Sequence, residues 1–415
     1  MTNPGRELLD SAREDPLSAT PTAILKAVRN VPPKDVPHVL SSIGIALAEN
    51  ADLGTELVEI LAPELTAQNE HTRLAATRTL STISAATPEA VLPELAAILE
   101  QLEDEFPPVR AAALRCLVSL AESHRDAIVP HLDRIRPLLS DPVPYVGETA
   151  LGLLKQLLDE QPTAVIPFID PIVENLRSPP EFDPRTRLRW HHQHPNYQDR
   201  VDRDGGTSAD REHYLAVAAY ILAQISSEHP DQLSEHVSTL AAVLEREQSH
   251  SLQYHLLESI QAVAESTPAA AAQGMVAVGA LFAETRDDDL REKAAWTLTW
   301  LAEGDVDGIG PILIEHGQTI RSMLNADDAE LRAAGVAILS QLAERDAELV
   351  APALPEIRNL VRSDDPEIRG LAIWTLAYAG ERDDVQLLKS RANSDSDKQV
   401  QAAADQATHV LVDRL

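Results

Sequence analysis

Apolar and polar positions follow a helical period along nearly the whole chain. In VRAAALRCLVSL (109–120) the apolar or small residues Val109, Ala112, Ala113, Cys116, Leu117 and Leu120 obey the i, i+3, i+4, i+7 rule of a helix with one buried face. The block recurs as TRLAATRTLSTI (72–83), LREKAAWTLTWL (290–301), LRAAGVAILSQL (331–342) and IRGLAIWTLAYA (368–379). Looser copies are VGETALGLLKQL (146–157), YLAVAAYILAQI (214–225) and LQYHLLESIQAV (252–263). The second residues of these blocks are Arg73, Arg110, Gly147, Leu215, Gln253, Arg291, Arg332 and Arg369, at successive spacings of 37, 37, 68, 38, 38, 41 and 37. One spacing is too long by about thirty residues.

Between the blocks lies a second helical pattern, as in PEAVLPELAAILEQL (88–102), RDAIVPHLDRIRPLL (125–139) and PTAVIPFIDPIVENL (162–176). Pro93, Pro130 and Pro167 recur in it every 37 residues, where proline removes a backbone donor near the first turn and bends the rest of the helix. No run alternates apolar and polar residues as a strand does. Two antiparallel helices per unit predict an all-α solenoid. Ten hairpins are expected, near 19–50, 53–86, 88–123, 126–160, 162–227, 230–265, 268–302, 307–344, 347–380 and 382–414. They would form one array from 19 to 415 behind a polar arm at 1–18, and ten layers of helices 8–10 Å apart would make a curved superhelix about 90–100 Å long.

In length and residues the unit resembles the HEAT-repeat family. The best single match is SDDPEIRGLAIWTLAYAG (363–380), with an acidic-Pro-acidic-apolar-Arg turn opening its second helix. Asp104 and Arg110 match the family's Asp–Arg pair, whose side chains bond across the turn and between repeats. The resemblance implies the same ladder for Arg73, Arg291, Arg332, Asp365 and Arg369, interrupted at Gly147, Leu215 and Gln253. It also implies that second helices line a concave face. Trp296 and Trp374 share one position of the aligned second helices, and Trp300 and Tyr378 share another four residues on, both opposite the buried face. These four are candidates for partner contact.

The long spacing falls inside the fifth hairpin, where an inserted loop at about 179–208 replaces a short turn. Loops of this length in a compact fold are more often functional than idle. From Arg185 to Arg200 it has four Arg against one Asp in a chain of net charge −31. Arg185, Arg187, Arg189, Trp190 and Tyr197 are candidates for gripping a partner by ion pairs and stacking. His191, His192, His194 and His213 are weak metal candidates, because a loop offers no fixed ligand spacing. Packing of Trp190 on the solenoid, with the arginines paired to its carboxylates, is the plainer alternative.

Composition then narrows the function. There are 66 Asp and Glu against 35 Lys and Arg, and only Lys26, Lys34, Lys155, Lys293, Lys389 and Lys398 are lysines. This acidic, Lys-poor balance resembles proteins of halophilic archaea and argues against broad binding to phosphate backbones. Cys116 is the single cysteine, excluding an internal disulfide and fitting a reducing, cytoplasmic setting. Charges in MTNPGRELLDSARED argue against an export signal, and the charge-free run 266–283 is too weakly apolar for a membrane span. No GxxxxGK[ST], GxSxG or HExxH occurs, and no His precedes Glu, as the di-iron hydroxylases of the HEAT class require. The expectation is a non-catalytic scaffold or adaptor for protein partners, without cofactor or catalytic residue. The alternatives are a nucleic-acid-associated protein of the base-repair glycosylase type and a metal-dependent enzyme of HEAT-like fold.

Overall fold

The computed structural model describes residues 52–179 and 206–415, together with Ala23, Ile24, Lys26 and Ile43. The N-terminal arm, most of the first hairpin and nearly all of the inserted loop therefore lie outside the described residues. Among those residues every regular element is helical. The chain forms two compact units, Met1–Ile221 and Leu222–Leu415.

In the first unit the second helices are α1 (Glu70–Ala86), α2 (Pro107–Ala121), α3 (Pro144–Leu158) and the start of α4 (Gly206–Glu228), which runs across the boundary. In the second unit they are α5 (His250–Ser266), α6 (Asp288–Glu303), α7 (Ala329–Arg345), α8 (Pro366–Ala379) and α9 (Lys398–Arg414). Their starts follow from local chemistry. Asn69, Asp287, Asp328, Asp365 and Asp397 cap α1, α6, α7, α8 and α9 by accepting backbone N–H bonds, while Pro107 and Pro144 open α2 and α3 where no donor is needed.

Several first helices are broken rather than continuous, although the last, Asp384–Ser394, is uninterrupted. Pro88–Val91 passes through the 3-10 turn Leu92–Glu94 into Leu95–Glu100, and Pro162–Val165 passes through Ile166–Phe168 into Ile169–Arg177. Pro93 and Pro167 sit in those 3-10 turns, and Pro130 in Val129–Arg134. In these three hairpins the missing proline N–H groups bend the first helix around its partner. The core is aliphatic. On α2, Val109, Ala111, Ala112, Ala113, Leu114, Cys116, Leu117 and Leu120 have no accessible surface, and the alanines let neighbouring helices approach closely.

In several hairpins one side chain of the second helix closes the turn. Arg73 Nη1 donates to the carbonyls of Ala67 and Gln68 at 3.0 and 3.3 Å, and Arg110 Nη1 to those of Asp104 and Glu105 at 2.8 and 3.4 Å. Arg332 reaches Ala326 and Asp327 at 2.7 and 2.8 Å, and Arg369 reaches Ser363 and Asp364 at 2.9 Å each. Gln253, a departure from the arginine pattern in sequence, performs the same closure through one amide to the Glu247 carbonyl at 2.9 Å. These are carbonyls that the end of a first helix leaves without an internal donor.

The remaining guanidinium donors bridge to the following repeat where an aspartate awaits them. Arg73 Nε and Nη2 donate to Asp104 at 2.6 and 2.9 Å, and Arg110 Nε and Nη2 lie 2.8 and 2.6 Å from Asp141. Arg369 Nε and Nη2 donate to Asp395 at 3.0 and 2.8 Å. Each aspartate also accepts the backbone N–H two residues on, from Phe106, Val143 and Asp397. This corrects the expected pairing in two places. Asp104 gives Arg110 its main-chain carbonyl and Arg73 its carboxylate. Asp365 caps α8 through the Glu367 N–H at 2.8 Å, because the arginine of the preceding repeat does not reach it.

At α3 the ladder changes chemistry. Gly147 stands where an arginine would, and Tyr214 from α4 occupies that space. The Tyr214 hydroxyl donates to the Leu139 carbonyl at 2.7 Å and accepts from Asn175 Nδ2 at 2.8 Å, and Asn175 Oδ1 accepts from Ser140 at 2.7 Å. Burial raises the Tyr214 hydroxyl well above the ordinary phenol range, against the Asn175 hydrogen bond that lowers it, so it stays a donor.

Two outcomes are expected. A Cβ at Gly147 would lie 3.1 Å from both Leu139 O and Tyr214 Cε2, a ring pinned by two hydrogen bonds, so Gly147→Ala should destabilise the first unit by about 1–3 kcal/mol in urea unfolding. Asp395→Ala should cost about 3–5 kcal/mol at pH 7, because it strands Arg369, whose side chain is 6 % exposed. Burial alone would raise the Asp395 carboxyl. The Arg369 and Asp397 hydrogen bonds and the charges of Arg369 and Arg391 outweigh burial and hold it below its ordinary value. A depressed acid contributes stability above its unfolded pKa of about 3.9, and loses it as pH falls through the lowered native value. Acid unfolding of wild type should show that loss, and Asp395→Ala should not.

Candidate functional site

Aromatic side chains stand out against the aliphatic core on α6 and α8. Trp296, Trp300, Trp374 and Tyr378 are all half-buried. Trp374 and Tyr378 lie one turn apart with ring centroids at 6.2 Å and planes at 27°, a stacked pair. Ala337 on α7 occupies the position equivalent to Trp296 and Trp374 and is buried, so α7 places only a methyl group there. The Tyr378 hydroxyl is hydrogen-bonded to Glu344 of α7, and burial, then the charge and hydrogen bond of Glu344, raise it above the usual phenol value. The structure therefore places Trp374 and Tyr378 together as one partly open surface.

A polar cluster that sequence reasoning missed joins α5 and α6. Lys293 Nζ lies 3.2 Å from Glu258 and 4.5 Å over the Tyr254 ring, while His255 Nδ1 is 3.0 Å from the same carboxylate. Glu258 and Lys293 edge a cavity of about 540 Å³ whose other polar walls include Gln224, Ser226, Ser227 and Gln261. The signal was available: Lys293 is one of six lysines, and Glu258 aligns with Trp296.

The ladder arginines divide into two groups. Arg73, Arg110 and Arg369 bridge to the next repeat. Arg291 and Arg332 face Ala326 and Ser363 where the others face aspartate, so they close their own turns without such a bridge. Arg291 Nη2 donates to the Thr285 carbonyl and Nη1 donates to Asp288 at 3.0 Å, but Nε is buried with no acceptor among the described residues. Leaving a buried donor unpaired costs about 1–3 kcal/mol.

His213 is exposed on α4. Arg185, Arg187, Arg189, Trp190, His191, His192, His194 and Tyr197 lie outside the described residues. Among the described residues no group of three His, Cys, Asp or Glu side chains is placed to hold a metal, and no helix is long and apolar enough to cross a membrane. Cys116 is buried, and desolvation pushes its thiol up to about 12 despite a hydrogen bond with Ser84, so it is no thiolate nucleophile at neutral pH.

Comparison with known proteins agrees with this architecture. A HEAT-repeats family model matches residues 317–408 and a HEAT-repeat model matches residues 95–124, so one match falls in each unit. No curated protein matches the chain. An engineered protein whose crystal structure was determined by the Northeast Structural Genomics Consortium is similar over 99 % of both chains, at 18 % identity and a TM-score of 0.64. That likeness fixes the fold as an α-solenoid; it carries no activity, because one fold hosts many functions.

The Tyr378–Glu344 contact is directly measurable. Glu344→Gln removes the neighbouring charge and should lower the Tyr378 pKa toward its ordinary value of about 10. A difference ultraviolet titration against Tyr378→Phe reads this, and an unchanged tyrosinate midpoint would show that the contact is not made in solution.

Proposed function

We propose that the protein is a non-catalytic HEAT-repeat scaffold or adaptor that binds another protein through the second helices of its second unit. The observation that carries this reading is the stacked, half-buried Trp374–Tyr378 pair beside Glu344. Interface contact centres are enriched in such rings, which supply large area at low entropic cost and keep a polar handle. Trp296 and Trp300 extend the same contact on α6. The inserted segment at 179–208, with Arg185, Arg187, Arg189, Trp190 and Tyr197, is proposed as a second contact element on the strength of its charge and aromatic content alone. We place the protein in the cytoplasm, as a single array of hairpins with no cofactor.

The chain's charge of −31 favours this reading over nucleic-acid binding, since phosphate-backbone affinity comes from cations that release counterions. A scaffold needs no chemical centre. Its requirement is a long, slightly compliant surface, and stacked hairpins supply one because each contacts only its neighbours.

The test is affinity capture of the full chain from its own cell extract, compared with the Trp374→Ser/Tyr378→Ser double variant by quantitative mass spectrometry. A protein retained by wild type and lost at least about tenfold by the variant is expected, since two central aromatics each contribute on the order of 1–2 kcal/mol or more. Thermal unfolding within a few degrees of wild type would show that the variant is folded. Equal retention by both chains would remove the aromatic contact. Retention of DNA with a steep salt slope, or stoichiometric zinc or iron in the purified protein, would replace the scaffold reading altogether.

A further inference from the structure

At two places in the second unit an aromatic ring stands beside a glutamate, and one of the two already holds a cation. Between α5 and α6, Lys293 Nζ lies 4.5 Å over the Tyr254 ring and 3.2 Å from Glu258, so ring face and carboxylate share one ammonium group. Between α7 and α8 the same ingredients meet again: the stacked Trp374–Tyr378 rings, and Glu344, which bonds the Tyr378 hydroxyl. There the cation is missing. The position of Lys293, three residues before Trp296, is Ala334 on α7 and Leu371 on α8. Arg345, next to Glu344 in the chain, is held by Asp305 at 2.9 Å and by the Ala302 carbonyl. Among the described residues no Lys, Arg or His pairs with Glu344, and none sits on either ring. The place is also reachable, since Glu344 is exposed and both rings are half-buried. Gly370 lies one turn before Trp374 on the same face of α8, and a Cβ there would meet no atom within 4 Å. The indole thus has clear space on the side away from Tyr378.

We propose that this surface receives an arginine side chain of the protein partner, its guanidinium lying on the Trp374 ring with N–H groups turned to Glu344. The inference rests on the scaffold reading and names the chemistry that the aromatic contact recognises. Charge selects the class of ligand. In a chain of net charge −31 a basic segment is drawn in and an acidic one is repelled. Shape selects arginine over lysine, because a planar, weakly hydrated guanidinium stacks on a ring face while its edge bonds a carboxylate. Glu344 retains acceptors for it, since one hydroxyl takes only one of the about four lone-pair sites on a carboxylate. Lys293 fills the corresponding place beside Tyr254 from within the chain, which leaves the Trp374 surface as the one of the two that is open to a partner.

The probe is the indole Nε1–Hε1 NMR resonance of Trp374 in the full chain, assigned by its loss in Trp374→Phe. An acetyl-Gly-Arg-Gly amide, titrated at constant ionic strength, should shift it saturably with a midpoint on the order of 10 mM, as suits one cation–π contact and one exposed ion pair. The citrulline peptide has the same shape without the charge and should bind at least about fivefold more weakly. The lysine peptide should bind about threefold more weakly than arginine. Glu344→Gln should weaken the arginine peptide about two- to fivefold, the worth of an exposed ion pair. Gly370→Leu covers the open side of the indole at a helix position that favours leucine over glycine, so it should fold and also weaken the response. The arginine assignment is overturned by a shift that does not saturate, by a citrulline, lysine or Gly-Asp-Gly peptide binding as well as arginine, or by a midpoint unchanged in both variants. Capture from extract separates this failure from that of the scaffold reading. A protein lost by Trp374→Ser/Tyr378→Ser but kept in full by Glu344→Gln sinks the arginine contact and leaves the scaffold standing. Equal retention by the double variant, with the peptide response intact, removes the aromatic contact with a protein and leaves the arginine site.

Discussion

The guanidinium group is the joint on which this architecture turns. It offers five N–H donors in a rigid fork, and the second-helix arginine divides them between two tasks. One nitrogen satisfies two carbonyls at the end of its own first helix, and the opposite edge takes a carboxylate from the next repeat. The first task makes a hairpin; the second joins hairpins. An aspartate that meets the arginine also caps its own turn, so one contact orders three backbone segments. Glutamine can do only the first task, as Gln253 shows, because its amide has no second edge to offer.

A buried ion pair is a weak source of net stability, since desolvation offsets most of the attraction. Its value here is geometric. Aliphatic cores of Leu, Val and Ala pack acceptably in several registers, whereas a bidentate fork accepts one. Where the arginine is absent, at Gly147, the chain does not fall back on apolar packing. Tyr214, Asn175 and Ser140 rebuild a directional network around the Leu139 carbonyl. Its two larger members come from the helices Ile169–Arg177 and α4, which flank the inserted segment, so the network holds together a hairpin whose connection is long.

Periodicity made the helices and the repeat length readable, because a single buried face imposes its spacing on any sequence that folds this way. The breaks in first helices were readable from Pro93, Pro130 and Pro167 for the same kind of reason: the cost is local. The ladder was half readable. The arginines announced themselves by recurrence, but the partner of each lies in the next repeat, and two candidate acids, six and four residues before the arginine, look alike in sequence. Only the earlier one is reached, which is why Asp365 caps a helix while Asp395 takes Arg369. The Tyr214 network was not readable at all, since its members are 39 residues apart and share no period. The aromatic positions were legible as an alignment, and the stacked pair lies one turn apart on α8, while the Glu344 contact depends on how α7 packs against α8.

The bridging carboxylate fails at Arg291 and Arg332, the junctions of α6 with α7 and of α7 with α8. Those are also the helices that carry Trp296, Trp300, Trp374 and Tyr378. Loss of a directional bond lowers the cost of small shifts between neighbouring hairpins, and regions that accommodate ligands are drawn from the less stable parts of a fold. The proposed contact surface of stiff rings would gain from this, because its helices could adjust to a partner while the rings keep their shape. The flanking junction at Arg369–Asp395 stays locked, with both side chains nearly inaccessible. The carboxylate bridge is thus missing at both junctions among α6, α7 and α8, the helices around the aromatic side chains.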